Sequence, residues 1–202
     1  MSFFARTLCA LPAIAIATGA CAHITLESRE AKAGSYYKAV LKVPHGCDGS
    51  AIVKLRVNVP EGVIGVKPMP KPGWQVETVR GAYGKSYPTA HGTPVTEGVK
   101  DIVWSGKLLD EHYDEFVFTS ALTGDLKTGP LYFPVTQTCE KGEIAWTEIP
   151  APGQDAHALK APAPALVILA QAVMQPAGNT FKAGAITVEA PWSRATPGGA
   201  QV

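Results

Sequence analysis

The 202-residue chain is short of several things. It has three methionines and four cysteines. Beyond residue 22 only Met69 and Met174 remain, too few for a soft thioether metal cluster. Lys and Arg total 18 and are spread singly, against 17 Asp and Glu, for a formal net charge of +1. That balance excludes the clustered basic surplus of a nucleic-acid binder, and no polybasic run is present to hold an anionic membrane. No window places apolar residues at i, i+3, i+4 and i+7 between helix caps, so long helices are not expected. No G-x-S-x-G, Walker loop, H-E-x-x-H or Ser/His/Asp signature occurs, which leaves ordinary hydrolase and nucleotide chemistry without a foothold. What is abundant is 20 Gly and 17 Pro, a composition of many turns.

Met1 to Ala22 has the three zones of a secretory signal: Arg6, an apolar run from Leu8 to Ala17, and an Ala20-Cys21-Ala22 cleavage site. The apolar run falls far short of the roughly 20 residues of a membrane span. The expected location is therefore periplasmic or secreted. Lipoprotein processing at Cys21 is the rival, but the residues before it are Thr18-Gly19-Ala20, without the usual Leu three places ahead.

Cleavage after Ala22 makes His23 the first residue. Its free α-amine and its Nδ1 can then close a six-membered chelate ring on one metal ion. An internal histidine cannot do this, because its nitrogen is a peptide nitrogen. An α-amine titrates near 7.7–8.0 and imidazole near 6.5, so both give up a proton to a metal around neutral pH. Paired nitrogen donors favour Cu(II) among the divalent ions. Against this, some residue must come first: the plain alternative is a structural sandwich without metal, in which His23 is incidental.

Two cysteines remain after the signal, Cys47 and Cys139. In an exported chain an even pair predicts a disulfide; a thiolate metal site is the alternative, weakened by the lack of any C-x-x-C.

Ala51 to Val59 alternates, with Val53, Leu55, Val57 and Val59 on one face and Lys54, Arg56 and Asn58 on the other, which predicts a strand with one wet face. Further strands are expected over 35–43, 75–80, 101–105, 115–122, 131–138 and 143–148, with Gly84 and Gly98 among the punctuation between them. Pro134 confines its strand to an edge or a bulge. About seven short strands predict an all-β antiparallel sandwich over 23–150. Residues 151–184 have an Ala/Pro/Gly-rich linker composition, although the apolar stretch Leu166–Val173 is able to pack on the sandwich as an extra strand or helix.

Several segments together resemble the YcnI-like family of exported copper-binding domains. They are His23, the Pro44-His45-Gly46-Cys47-Asp48-Gly49-Ser50 loop, Pro60-Glu61-Gly62-Val63, Pro72-Gly73-Trp74, Trp104-Ser105-Gly106, Asp114-Glu115-Phe116, and Gln137-Thr138-Cys139 with Trp146. The resemblance spans about 23–150. It implies an immunoglobulin-like sandwich that binds Cu(II) at its processed N-terminus through one histidine, helped by a loop carboxylate, with a tryptophan beside the metal. Trp146 occupies the expected place of that tryptophan. The loop carboxylate is where this sequence departs: it offers His45 and Asp48, and His45 is the first choice for the third ligand, Asp48 the second. A Cys47–Cys139 disulfide would pin this loop to the strand leading towards Trp146. His91, His112 and His157 have no spaced partner and are assigned to the surface; Trp74 and Trp104 are assigned to the core or a strand face. Residues 185–202 resemble the opening strand of a PCuAC-type periplasmic copper chaperone, as its truncated start, without that family's ligands.

The resulting expectation is a copper-handling protein and not an enzyme, with a PCuAC-type chaperone or a copper importer as partner and no substrate. The alternative is an oxidative copper enzyme of the histidine-brace type, which His45 as a second imidazole ligand would permit. Against it, no stripe of exposed aromatics suits a flat polysaccharide.

Overall fold

The computed structural model of the chain describes residues 23–89 and 92–171. The signal segment, His91 and the 185–202 segment lie outside the described residues. Among the described residues, twelve strands and one short 3-10 turn, Ala156–Ala158, make up the regular structure. In chain order the strands are β1 (Thr25–Leu26), β2 (Glu30–Lys32), β3 (Tyr36–Val43), β4 (Ile52–Asn58), β5 (Val63–Pro68), β6 (Gln75–Thr89), β7 (Gly92–Leu108), β8 (Asp114–Leu122), β9 (Gly129–Tyr132), β10 (Val135–Cys139), β11 (Glu143–Trp146) and β12 (Ala165–Leu169).

They form a four-stranded sheet, β1-β3-β8-β5, and a five-stranded sheet, β11-β10-β4-β7-β6. A third sheet, β2-β12-β9, carries the one parallel pairing among the described strands, β12 with β2. The core lies where the inward residues of the two larger sheets meet: Leu41, Phe116 and Phe118 from one, Leu55, Ile102 and Trp104 from the other, all fully buried. Trp104 meets Phe116 edge-on at 5.5 Å, and Trp74 packs on the same ring at 4.9 Å. Trp74 lies so close over Gly106 that a Cβ there would come within 2.4 Å of its ring, which explains the glycine after Trp104-Ser105.

The expected all-β sandwich is present, and the differences have local causes. The alternation of β4 holds from Leu55 onward, but a register irregularity between Ile52 and Lys54 turns Ile52 inward and leaves Val53 only partly covered. The strand expected over 131–138 is two strands. Proline lacks the N–H a ladder needs, and the chain changes sheets at Phe133-Pro134, leaving β9 in the third sheet and β10 in the five-stranded one. The strands expected at 75–80 and 101–105 are parts of one long hairpin, β6–β7. Gly84 and Gly98, which look like punctuation in sequence, sit inside it, as does Gly81. Register shifts after Val79 and Ala82 accompany its approach to the four-stranded sheet, where Tyr83 and Tyr87 pack on Ile64 and Ala121. Glu61 anchors this contact by accepting from the Tyr87 hydroxyl, the Gly84 N–H and Lys100. Burial alone would raise the Glu61 carboxyl, but those hydrogen bonds and the Lys100 charge outweigh it and hold the group below its usual range.

Within the 151–184 stretch, β12 buries Leu166 and Ile168 completely in the same core. The extra strand allowed for the apolar stretch is thus formed by its first half.

Candidate metal centre

Four segments meet at one lateral edge of the sandwich. His23 leads directly into β1, the edge strand of the four-stranded sheet, and Trp146 ends β11, the edge strand of the five-stranded sheet. The loop of residues 44–50 crosses from β3, which pairs with β1, to β4, which pairs with β10. β10 in turn pairs with β11, so the topology gathers these side chains although 123 positions separate His23 from Trp146.

The His23 and Trp146 rings meet edge-on, with centroids 5.6 Å apart and planes inclined at 63°. His23 is partly buried and Trp146 is buried. Burial lowers the His23 pKa from its usual value, and the nearby His157 imidazole lowers it further. Both effects disfavour the protonated ring and so favour the neutral imidazole, the form in which histidine binds metals.

His157 is exposed, as its lack of a spaced partner suggested, yet it acts on His23. It rides on the 3-10 turn of a loop that Glu148 fastens at its base, the Glu148 carboxylate accepting from the Ala161 N–H at 2.8 Å and its backbone carbonyl from the Ala163 N–H at 2.9 Å. Glu148 follows Trp146 by two residues, so the loop rises beside the tryptophan. No spacing rule in the sequence links positions 23 and 157. Replacing His157 by Ala is expected to raise the His23 pKa towards its ordinary value, because the electrostatic effect of the neighbouring imidazole, which opposes protonation of His23, is removed. An NMR titration of the His23 imidazole in metal-free protein checks this; an unchanged or lowered value would contradict it.

The 44–50 loop is held rigidly. Cys47 is disulfide-bonded to Cys139 at the end of β10, with Cα atoms 6.1 Å apart. Cys47 and Ser50 exchange backbone hydrogen bonds of 3.0 and 2.9 Å around Asp48-Gly49. Both central residues have positive φ, 47° and 81°, the two-residue turn for which Asp-Gly is a favoured pair. Gly46 has no room for a side chain, since a Cβ would lie 2.0 Å from the Ser50 carbonyl oxygen, and its N–H donates to Asp110 at 2.9 Å.

This geometry separates the two expected third ligands. Asp48 is exposed at the turn, lining a cleft with Glu140 and Lys141, and the turn accounts for its identity. His45 is partly buried, with Nδ1 2.7 Å from the Gly46 carbonyl oxygen. A carbonyl only accepts, so Nδ1 carries the proton in this contact. A backbone carbonyl fixing one ring nitrogen is the arrangement that usually supports a metal-binding histidine.

Among the described residues no three His, Cys, Asp or Glu side chains form a group able to hold a metal ion. His23, His45 and Asp48 are therefore not gathered as a side-chain triad. A centre at this edge depends on a backbone donor, which is what an α-amine at His23 would supply.

Gln137, quoted in sequence only as part of Gln137-Thr138-Cys139, is fully buried here. It accepts the Trp146 indole N–H at 3.0 Å and donates to the His45 carbonyl at 3.1 Å.

Residues 23–168 match the sequence profile of the family described as a domain of unknown function (DUF1775). No curated protein matches the chain significantly. Among solved structures, an uncharacterized protein from Nocardia farcinica, described as having an immunoglobulin-like fold, is 21% identical with a TM-score of 0.53, over 74% of this chain and 99% of that one. A chain of a cohesin–dockerin complex from Clostridium thermocellum is 12% identical with a TM-score of 0.36, over 73% of this chain and 98% of that one. The Nocardia farcinica structure establishes the immunoglobulin-like character of the sandwich.

Proposed function

The chain belongs to the YcnI-like family, described as a domain of unknown function (DUF1775), and we propose that it is an exported Cu(II)-binding protein that serves in periplasmic copper handling and is not itself an enzyme. The metal is held by the α-amine and Nδ1 of processed His23, with His45 as the third donor through Nε2. The observation that carries this reading is the edge-on contact of His23 with Trp146 at 5.6 Å, between edge strands of opposite sheets.

The donor set suits the ion. Two nitrogens from one residue close a chelate ring, an imidazole adds a third, and nitrogen ligands of this type favour Cu(II) over its divalent neighbours. The chain supplies the rest. Burial favours the neutral form of the His23 ring, the disulfide holds the His45 loop, and the Trp146 ring beside His23 would limit the approach of water to the ion. A protein that stores or passes on copper benefits from that cover, because an accessible copper ion reacts with oxygen and reductants. A PCuAC-type chaperone or a copper importer is the partner class that such a carrier would serve.

Titration of mature protein, verified by intact mass to begin at His23, is expected to give one Cu(II) per chain with an EPR spectrum of nitrogen ligation. His45→Ala is expected to shift that spectrum and Asp48→Ala to leave it in place. A shift confined to Asp48→Ala would exchange the two roles, and rapid ascorbate-driven peroxide formation by the copper-loaded protein would contradict the assignment as a carrier.

A further inference from the structure

Gln137 is an unusual residue for its position. On β10 the inward places are taken by Val135, Gln137 and Cys139, all buried, so a primary amide sits in the apolar core between a valine and a disulfide. An amide buried without partners is strongly disfavoured. Here its two ends are matched to groups of fixed polarity. The Trp146 indole N–H can only donate, so the oxygen of Gln137 faces it at 3.0 Å; the His45 carbonyl can only accept, so the nitrogen faces that at 3.1 Å. The amide therefore has one orientation. The body of the side chain lies against the disulfide, with its nitrogen 3.7 and 3.9 Å from the Cys47 and Cys139 sulfurs.

The register explains the reach. Trp146 pairs with Val135 and Ile144 with Gln137, which makes Gln137 and Trp146 diagonal neighbours on the same inner face. The same side chain extends past the end of the sheet to residue 45 of the crossing loop. The metal-side tryptophan and the loop that carries the third donor have no strand pairing with each other; β11 pairs with β10, and the loop lies between β3 and β4.

We infer that Gln137 is a positioning residue, whose single amide locks the Trp146 indole and the His45 backbone to each other and thereby sets the arrangement around the copper ion without touching it. This rests on the proposed Cu(II) site at His23. Groups that orient metal ligands from behind typically change metal affinity about 10- to 100-fold when removed. Gln137 has that relation to His45 through the backbone and to the aromatic cover through the indole N–H.

The test has a metal-free arm and a copper arm, both on mature protein. In metal-free wild type, the Trp146 indole N–H is expected to exchange slowly with solvent deuterium in NMR spectra; rapid exchange in folded protein would overturn the inference without any variant. Gln137→Met keeps the length of the side chain and removes both polar ends. It is expected to shift the Trp146 indole resonance, weaken Cu(II) binding about 10- to 100-fold and change the EPR parameters. In Gln137→Glu a carboxyl kept neutral by burial again offers one donor and one acceptor, and recovery of the wild-type EPR spectrum is expected. Gln137→Met that is folded by circular dichroism and binds Cu(II) with wild-type affinity and spectrum would overturn the inference while leaving the copper site intact. Wild-type protein that binds no Cu(II) at His23 would instead overturn the site, and slow indole exchange would then still report the hydrogen bond.

Discussion

Mature protein carrying one extra residue ahead of His23 is expected to lose its tight Cu(II) site. The change is small in atoms and large in chemistry. The added residue turns the α-amine into an amide nitrogen, which can bind a metal only by losing its proton, and so opens the six-membered chelate ring of amine and imidazole while leaving the imidazole untouched. His23→Ala makes the complementary cut, retaining the amine and removing Nδ1. Each change removes one nitrogen donor, and each is expected to weaken binding at least tenfold, or about 1.4 kcal/mol. Calorimetric titration with EPR on the three proteins measures it. The extended protein is the more discriminating variant, because every side chain of the folded domain is preserved. Equal affinity and an identical spectrum in the extended and mature proteins would mean that the copper binds elsewhere.

Replacing both Cys47 and Cys139 with Ser is expected to lower the free energy of unfolding by about 4–5 kcal/mol. The disulfide spans a sequence separation of 92 residues, and closing a loop of that size removes much of the freedom of the unfolded chain. Since a domain of this kind is stable by only about 5–15 kcal/mol, the loss is a large share of the total. Urea denaturation gives the comparison directly, with a lower midpoint expected for the double variant and an unchanged midpoint counting against it. The effect should not stay global. The disulfide joins the His45 loop to the end of β10, and Gln137 lies against it. A double variant that remains folded is therefore expected to hold the 44–50 loop less firmly.

Much of the fold was legible in the sequence because period-two alternation and turn residues are local signals. β4 shows this from Leu55 onward, and β8 matches its expected span almost residue for residue. The elements that escaped lack such signals. Gly65 interrupts β5 and Pro68 ends it, Gly81, Gly84 and Gly98 are among the glycines inside the β6–β7 hairpin, and the inward turn of Ile52 depends on a register shift that exists only once β7 is beside it. At the candidate centre, the Cys47–Cys139 disulfide was legible from two cysteines in a chain read as exported, and the place of Trp146 beside His23 from family resemblance. Gln137 and His157 could not be assigned in that way. The role of a buried glutamine becomes visible only when the register of β10 against β11 is known, and His157 reaches His23 through a loop closed by Glu148.

The strand β12 has a consequence for how the molecule is made. It enters between β2 and β9, so that Val167 pairs with Glu30 across almost the whole domain and with Pro130 on its other side. Neither flanking strand pairs with the other, and the seats of Leu166 and Ile168 in the core stay unfilled until the chain has been synthesised that far. Contacts of such long range are slow to form, because chain entropy is lost before they bring any return. The C-terminal strand is therefore expected to be among the late parts of the sandwich to form. A chain that stops short of residue 165 lacks the middle strand of the third sheet, and with it the two side chains that fill the core from that side.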